Sequence, residues 1–187
     1  MINAYDFDET IYNGDSSVDF YMYCLKRKPS IIRFALHQLK GVILYKLKIK
    51  DKDYMKEHIF SFLKGIKEVD TYIEDFWKIK EKNIKQWYLD QKEKTDVIIS
   101  ASPEFLLKPL EKKLNYKVIA TKVDKHTGKF LSKNCHDYEK IKRFEEEYKG
   151  VKIKKFYSDS IKADKAMLEY AEEGYVVKGN NITPYQK

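Results

Sequence analysis

The 187 residues are 43% hydrophobic and 14% aromatic, a composition that builds a packed core and excludes a disordered chain. Lysine and arginine number 37 against 29 acids, a net charge of +8, but arginine occurs only at Arg27, Arg33 and Arg143. Lysine cannot replace arginine at bidentate base contacts, so the excess argues against specific nucleic-acid reading and fits a solvated surface or attraction of anions. Cys24 and Cys135 have no metal-ligand spacing and read as reduced thiols. With no apolar run of membrane-spanning length and no basic-apolar leader at the start, a soluble cytoplasmic protein is expected.

The chain opens with Ile2-Asn3-Ala4-Tyr5-Asp6-Phe7-Asp8-Glu9-Thr10, a short apolar strand running into two carboxylates. Residues i and i+2 of a strand share a face, so Asp6 and Asp8 point the same way. Two like charges in one desolvated place are costly unless a cation lies between them. At the carboxyl end of a parallel strand, where open α/β sheets bind ligands, the pair offers a nucleophile with a proton-transfer group beside it.

Asn13-Gly14 marks a turn, and Ser16 with Asp19 resembles a capping box opening a helix that Pro29 ends. Residues 31–49 predict an amphipathic basic helix with Arg33, His37, Lys40, Lys46 and Lys48, broken or loosened near Gly41. A helix over 52–63 stops at Gly65, and a long one is predicted over 69–91. The stretch 16–91 therefore contains helices and no strand signal.

From Asp96 the pattern changes. Val97-Ile98-Ile99-Ser100 reads as a buried strand, followed by a helix from Pro103 to Leu114 and a strand over 118–121. His126-Thr127-Gly128 marks a hairpin turn. A helix over 137–148, a strand over 153–157 ending at Ser158-Asp159, a helix over 162–172 and a last strand over 175–177 complete the chain. Alternating strands and helices predict an α/β fold: a Rossmann-like parallel sheet from 1–14 and 92–187, flanked by helices, with 15–91 inserted as an all-helical cap.

Strand ends thus carry Asp6 and Asp8, Ser100, and Asp159 followed by Asp164, with Lys140 early in the helix between the last strands. At one sheet edge these groups suit phosphoryl transfer: a carboxylate attacks phosphorus, a cation offsets the repulsion, and a hydroxyl and N–H groups hold the oxygens. The plain alternatives are a helix-capping hydroxyl for Ser100 and a surface ion pair for Lys140 and Asp164.

The set resembles the haloacid dehalogenase superfamily, in its phosphoserine-phosphatase-like branch with a helical cap after the first motif. Asp6-Phe7-Asp8-Glu9-Thr10 matches the DxDxT signature, Ser100 the second-motif hydroxyl and Lys140 the third-motif lysine, while Asp159 and Asp164 match the acidic fourth motif. The resemblance implies a magnesium-dependent phosphatase with Asp6 as nucleophile and metal ligand. Asp8 would be the acid/base, its carbonyl also reaching the metal, and Asp159 would complete the metal site. Asp164 would orient Lys140 or a metal-bound water, and Ser100, Ala101 and Thr10 would contact phosphate together with Lys140. The second aspartate, Asp8, favours phosphatase over dehalogenase.

Asp15 stands where a cap-side acidic contact to substrate is expected, but Tyr54-Met55-Lys56-Glu57-His58 supplies no arginine, which argues against phosphoserine. The motifs look more like a broad bacterial subgroup that includes lipid-phosphate phosphatases. A small phosphorylated metabolite or a lipid phosphate is the expected substrate. For 31–49 two readings stand, a helix covering the active site or a weak contact with an anionic membrane. A phosphotransferase on the same residues, or a silent basic module binding membrane or nucleic acid, are the rival functions. No motif speaks to oligomeric state.

Overall fold

The computed structural model describes residues 1–186. Six strands, β1 (Ile2–Tyr5), β2 (Val97–Pro103), β3 (Lys117–Thr121), β4 (Ile153–Ser158), β5 (Glu173–Lys178) and β6 (Asn181–Pro184), form one sheet in the order β3-β2-β1-β4-β5-β6. The first five are parallel and β6 runs antiparallel to β5. The first strand in sequence is thus central: Tyr5 lies between Ile98 of β2 and Tyr157 of β4.

Alternate strand residues feed two different cores, as the two-residue period of a strand dictates. Ala4, Val97, Ile99 and Phe156 face Phe144 of a helix at Tyr138–Glu147 and Met167 and Leu168 of another at Ile161–Tyr170. Tyr5, Ile98 and Tyr157 face the opposite way, with Tyr5 stacked on Tyr157 at 4.8 Å and Tyr157 on Tyr175 at 4.9 Å. Burial on both faces explains why Val97-Ile98-Ile99 is an unbroken apolar run.

Between β1 and β2 the chain is helical: α1 (Ser16–Arg27), a 3-10 turn (Pro29–Phe34), α2 (Ala35–Lys46), α3 (Lys52–Phe60), α4 (Val69–Lys80) and α5 (Gln86–Gln91). The inserted helices of the prediction are present, and the helices differ from expectation at four places. Asp15, not Ser16, caps α1, its carboxylate accepting the Val18 N–H at 3.0 Å. The helix expected to be broken or loosened near Gly41 runs through it. A Cβ on this buried glycine would lie 2.4 Å from the His58 Cβ, so it lets α2 approach α3 closely.

The single helix expected over 69–91 is two. Ile84 pairs with Tyr12 and the Lys85 N–H donates to the Ile11 carbonyl, taking backbone groups a continuous helix would need. As a result α5 lies on the sheet, with Tyr88 edge-on to Tyr5 at 5.0 Å and Trp87 against Tyr157 at 5.7 Å. Finally, the helix expected up to Leu114 is divided into α6 (Glu104–Leu107), a 3-10 turn (Lys108–Leu110) and α7 (Glu111–Leu114), because Pro109 supplies no N–H.

The helices at Tyr138–Glu147 and Ile161–Tyr170 are α8 and α9. Strand β6 was not predicted, although Gly179-Asn180 between two β-prone pairs is a hairpin signal and Gly179 has φ +61. Among the described residues no helix is long and apolar enough to cross a membrane.

Candidate active site

The residues singled out in the sequence converge at the carboxyl ends of β1, β2 and β4. There they meet the inner side of the inserted helices around a cavity of about 490 Å³. Asp6 and Asp8 both line it, whereas Phe7 between them is fully buried and stacks on Tyr12 at 5.5 Å. Both carboxylates thus reach one cavity, although β1 ends at Tyr5 and neither lies within the strand. Ser100, Ala101, Lys140, Asp159, Asp164 and Asp15 also line this cavity. A larger open groove, about 620 Å³, runs along β3 between α6 and α8 and contains none of them.

The heart of the site is a line of charges. Lys140 Nζ lies 2.7 Å from Asp6 Oδ1 and 2.7 Å from Asp164 Oδ1, and Ser158 Oγ donates to Asp164 Oδ2 at 2.7 Å. Lys140 and Asp164 are almost fully buried, which excludes the surface ion pair. Burial works against the charge on Lys140, but Asp164 and Asp6 outweigh it and hold its pKa above the ordinary lysine value. Burial drives the Asp6 carboxyl upward against the pull of Lys140, and Asp164 adds repulsion.

Asp8 is held separately. Its Oδ1 accepts the Ser16 N–H at 2.6 Å and its Oδ2 the Ser102 hydroxyl at 2.5 Å. Burial, helped by the Asp15 carboxylate, raises its pKa to about 6 despite these bonds. One carboxyl is thus tied to a cation and the other to neutral donors, an arrangement that gives two neighbouring acids different roles.

Ser100 Oγ accepts the Ser102 N–H at 3.1 Å, so this hydroxyl turns the chain at the cavity wall. Thr10 is a correction. It is fully buried and does not line the cavity; its Oγ1 accepts the Asp159 N–H at 2.8 Å and so fixes the end of β4. Asp159 lines the cavity half-buried, and burial raises its pKa while Lys178 opposes the shift.

Two contributors went unrecognised in the sequence. Ser102 reaches Asp8 because β2 shifts register between Ser100 and Pro103. Lys56, on α3, sends Nζ to the Ala101 carbonyl at 2.9 Å and to Asn134 Oδ1 at 3.1 Å. Burial, with Lys52 adding repulsion, lowers its pKa to about 8. Its signal was present in a helix read for arginine alone.

The donor set fits a hard cation. Among the described residues no three acidic, histidine or cysteine side chains form a ready-made cage. Asp6 and Asp159 line the cavity, and with the Asp8 carbonyl that the resemblance adds they would offer oxygen donors only, a set magnesium accepts because it keeps waters and takes up phosphate oxygens.

A model of the haloacid dehalogenase-like hydrolases matches residues 4–169, and the chain belongs to that family. It is accordingly an enzyme of the hydrolase class, with the family's Rossmann-like core. Among solved structures it resembles a protein of unknown function from Bordetella pertussis Tohama I, at TM-score 0.75 and 18% identity over 92% of this chain and 88% of that one. It also resembles a phosphoserine phosphohydrolase-like protein from Francisella tularensis subsp. tularensis SCHU S4, at TM-score 0.53 and 16% identity over 93% and 86%. These likenesses concern the fold. No curated protein matches the chain.

Proposed function

We propose that the chain is a magnesium-dependent phosphomonoesterase working through an aspartyl phosphate on Asp6. The observation that carries this reading is the buried line Asp6–Lys140–Asp164 beside an independently held Asp8. Family membership, and likeness in fold to a phosphoserine phosphohydrolase-like protein, support a phosphate ester as the substrate.

The Asp6 carboxylate attacks phosphorus, the bond from phosphorus to the ester oxygen breaks, and protonated Asp8 gives that oxygen its proton. A pKa near 6 leaves Asp8 a usable protonated share close to neutrality. A water then attacks the aspartyl phosphate, Asp8 takes its proton, and the bond from Asp6 to phosphorus breaks to release phosphate. Lys140 offsets negative charge on Asp6 and the transferring group, and Asp164 keeps Lys140 in position. Ser100, the Ala101 N–H and Lys56 would hold the phosphoryl oxygens.

Asp6, Asp159 and the Asp8 carbonyl would hold magnesium, which when bound offsets the repulsion between carboxylate and phosphate. Residues 15–91 would act as the cap, excluding water during the first transfer. Val18, Tyr21, Met55 and Ile59 give the cap side of the cavity an apolar wall. This suits a small phosphorylated metabolite or lipid phosphate with an apolar portion, Asp15 standing as its polar cap-side contact.

The test is phosphate release from an aryl phosphate with and without magnesium, in the wild type and Asp6→Asn. Magnesium-dependent release that disappears in the variant is expected; turnover retained by Asp6→Asn overturns the mechanism.

A further inference from the structure

The outer face of the cap carries a second feature, remote from the chemistry. Helix α2 turns most of its large apolar side chains outward. Inward it presents Gly41, which abuts His58, and Gln38, which donates to the Ile59 carbonyl at 2.8 Å and accepts from the Tyr21 hydroxyl at 3.1 Å, beside half-buried Ala35, Val42 and Leu44. Most of its large apolar side chains nevertheless face solvent, with Leu36 82% exposed, Leu39 53%, Ile43 45% and Leu47 62%. Spaced three or four residues apart, these four form one stripe along the helix. Ile32 before it and Ile49 after it are also exposed.

The charged side chains of the segment itself are of one sign. Residues 29–50 contain no aspartate or glutamate. Arg33, Lys40, Lys46, Lys48 and Lys50 are all exposed, and none is ion-paired among the described residues. No residue of this segment lines the active-site cavity, so it is not the cover expected of a cap helix. Helix α3 lies between, packing against α2 through His58 and sending Met55 and Lys56 to the cavity.

We propose that the face formed by the Pro29–Phe34 turn and α2 docks on an anionic lipid bilayer. An apolar stripe edged by cations matches the depth profile of such a surface, acyl chains below and negative headgroups at the boundary. A second copy of the chain is disfavoured by the same charges, because a symmetric contact would set this acid-free basic face against itself. The inference rests on the cap surface and does not depend on the reaction proposed above.

Co-sedimentation of the full chain with vesicles tests it, comparing phosphatidylcholine alone with phosphatidylcholine containing about 30% phosphatidylglycerol. Binding to the anionic vesicles at low salt is expected, falling about tenfold or more on neutral vesicles or at high salt. Leu36→Glu with Leu39→Glu removes binding while leaving the circular dichroism spectrum intact, because both side chains are exposed. Lys46→Gln with Lys48→Gln and Lys50→Gln weakens binding and flattens its salt dependence. No binding to anionic vesicles at low salt overturns the proposal. So does unchanged binding in the leucine variant, or a solution dimer by light scattering that the leucine variant splits.

Discussion

At the carboxyl edge of the sheet a lysine and an aspartate are 2% and 1% exposed, whereas on the outer face of α2 a leucine is 82% exposed. Both regions depart from the usual sorting of side chains, in opposite senses. Buried charge is tolerated where each member has a partner: Lys140 has Asp6 and Asp164, and Asp164 has Ser158. Exposed leucine has no such internal compensation; its partner would lie outside the chain. On the readings proposed above, each departure singles out a part of the molecule directed at something other than its own fold.

Five variants break or sharpen that contrast. The largest effect falls on Asp6→Asn, which keeps the volume and removes the proposed nucleophile: turnover drops on the order of 10⁴-fold or more, read as phosphate release. Lys140→Met strikes the same buried line but acts on stability. It leaves Asp6 and Asp164 without their cation, and urea unfolding should register a loss of about 3–5 kcal/mol. A change under about 1 kcal/mol would mean the carboxylates had simply taken up protons.

Gly41→Ala probes the other region from inside. The added methyl meets His58, and the strain of parting α2 from α3 exceeds the helix-propensity gain of about 1 kcal/mol, for a net loss of about 1–2 kcal/mol. A raised melting temperature would contradict this seating of α2.

Lys56 bridges the two regions. Its amine is charged below a pKa of about 8 and neutral above it, so attraction for phosphate fades as the pH rises through 8. KM for a phosphate ester should rise about tenfold between pH 7 and pH 9, and Lys56→Gln should begin with the high KM and lose this rise. The smallest effect is Leu36→Glu on stability, within about 0.5 kcal/mol by thermal melting, because this leucine packs against almost nothing.

The parallel core was legible because its strands are short apolar runs ending in polar residues, and β2, buried on both faces, could hardly be read otherwise. Asp6, Asp8, Lys140, Asp159 and Asp164 were legible because a carboxylate pair at a strand end has a cost that invites a partner. Thr10 was misassigned since motif position carries no information on whether a hydroxyl faces the ligand or the neighbouring loop. Ser102 depended on an irregularity in β2 that leaves no local mark. The orientation of α2 was hidden for a different reason: periodicity tells which residues share a helix face, but not which face meets the protein.

The central position of β1 bears on how the chain is made. Its neighbours β2 and β4 begin only at Val97 and Ile153, so the first strand emerges from the ribosome long before either partner exists. At ordinary synthesis rates the wait for β4 is roughly ten to thirty seconds. During it the inserted helices can form from local contacts, while the sheet that carries Asp6 and Asp8 cannot close. Assembly of the site is therefore a late event in biogenesis, and a polypeptide arrested before Ile153 has Asp6 and Asp8 but no complete sheet to hold them.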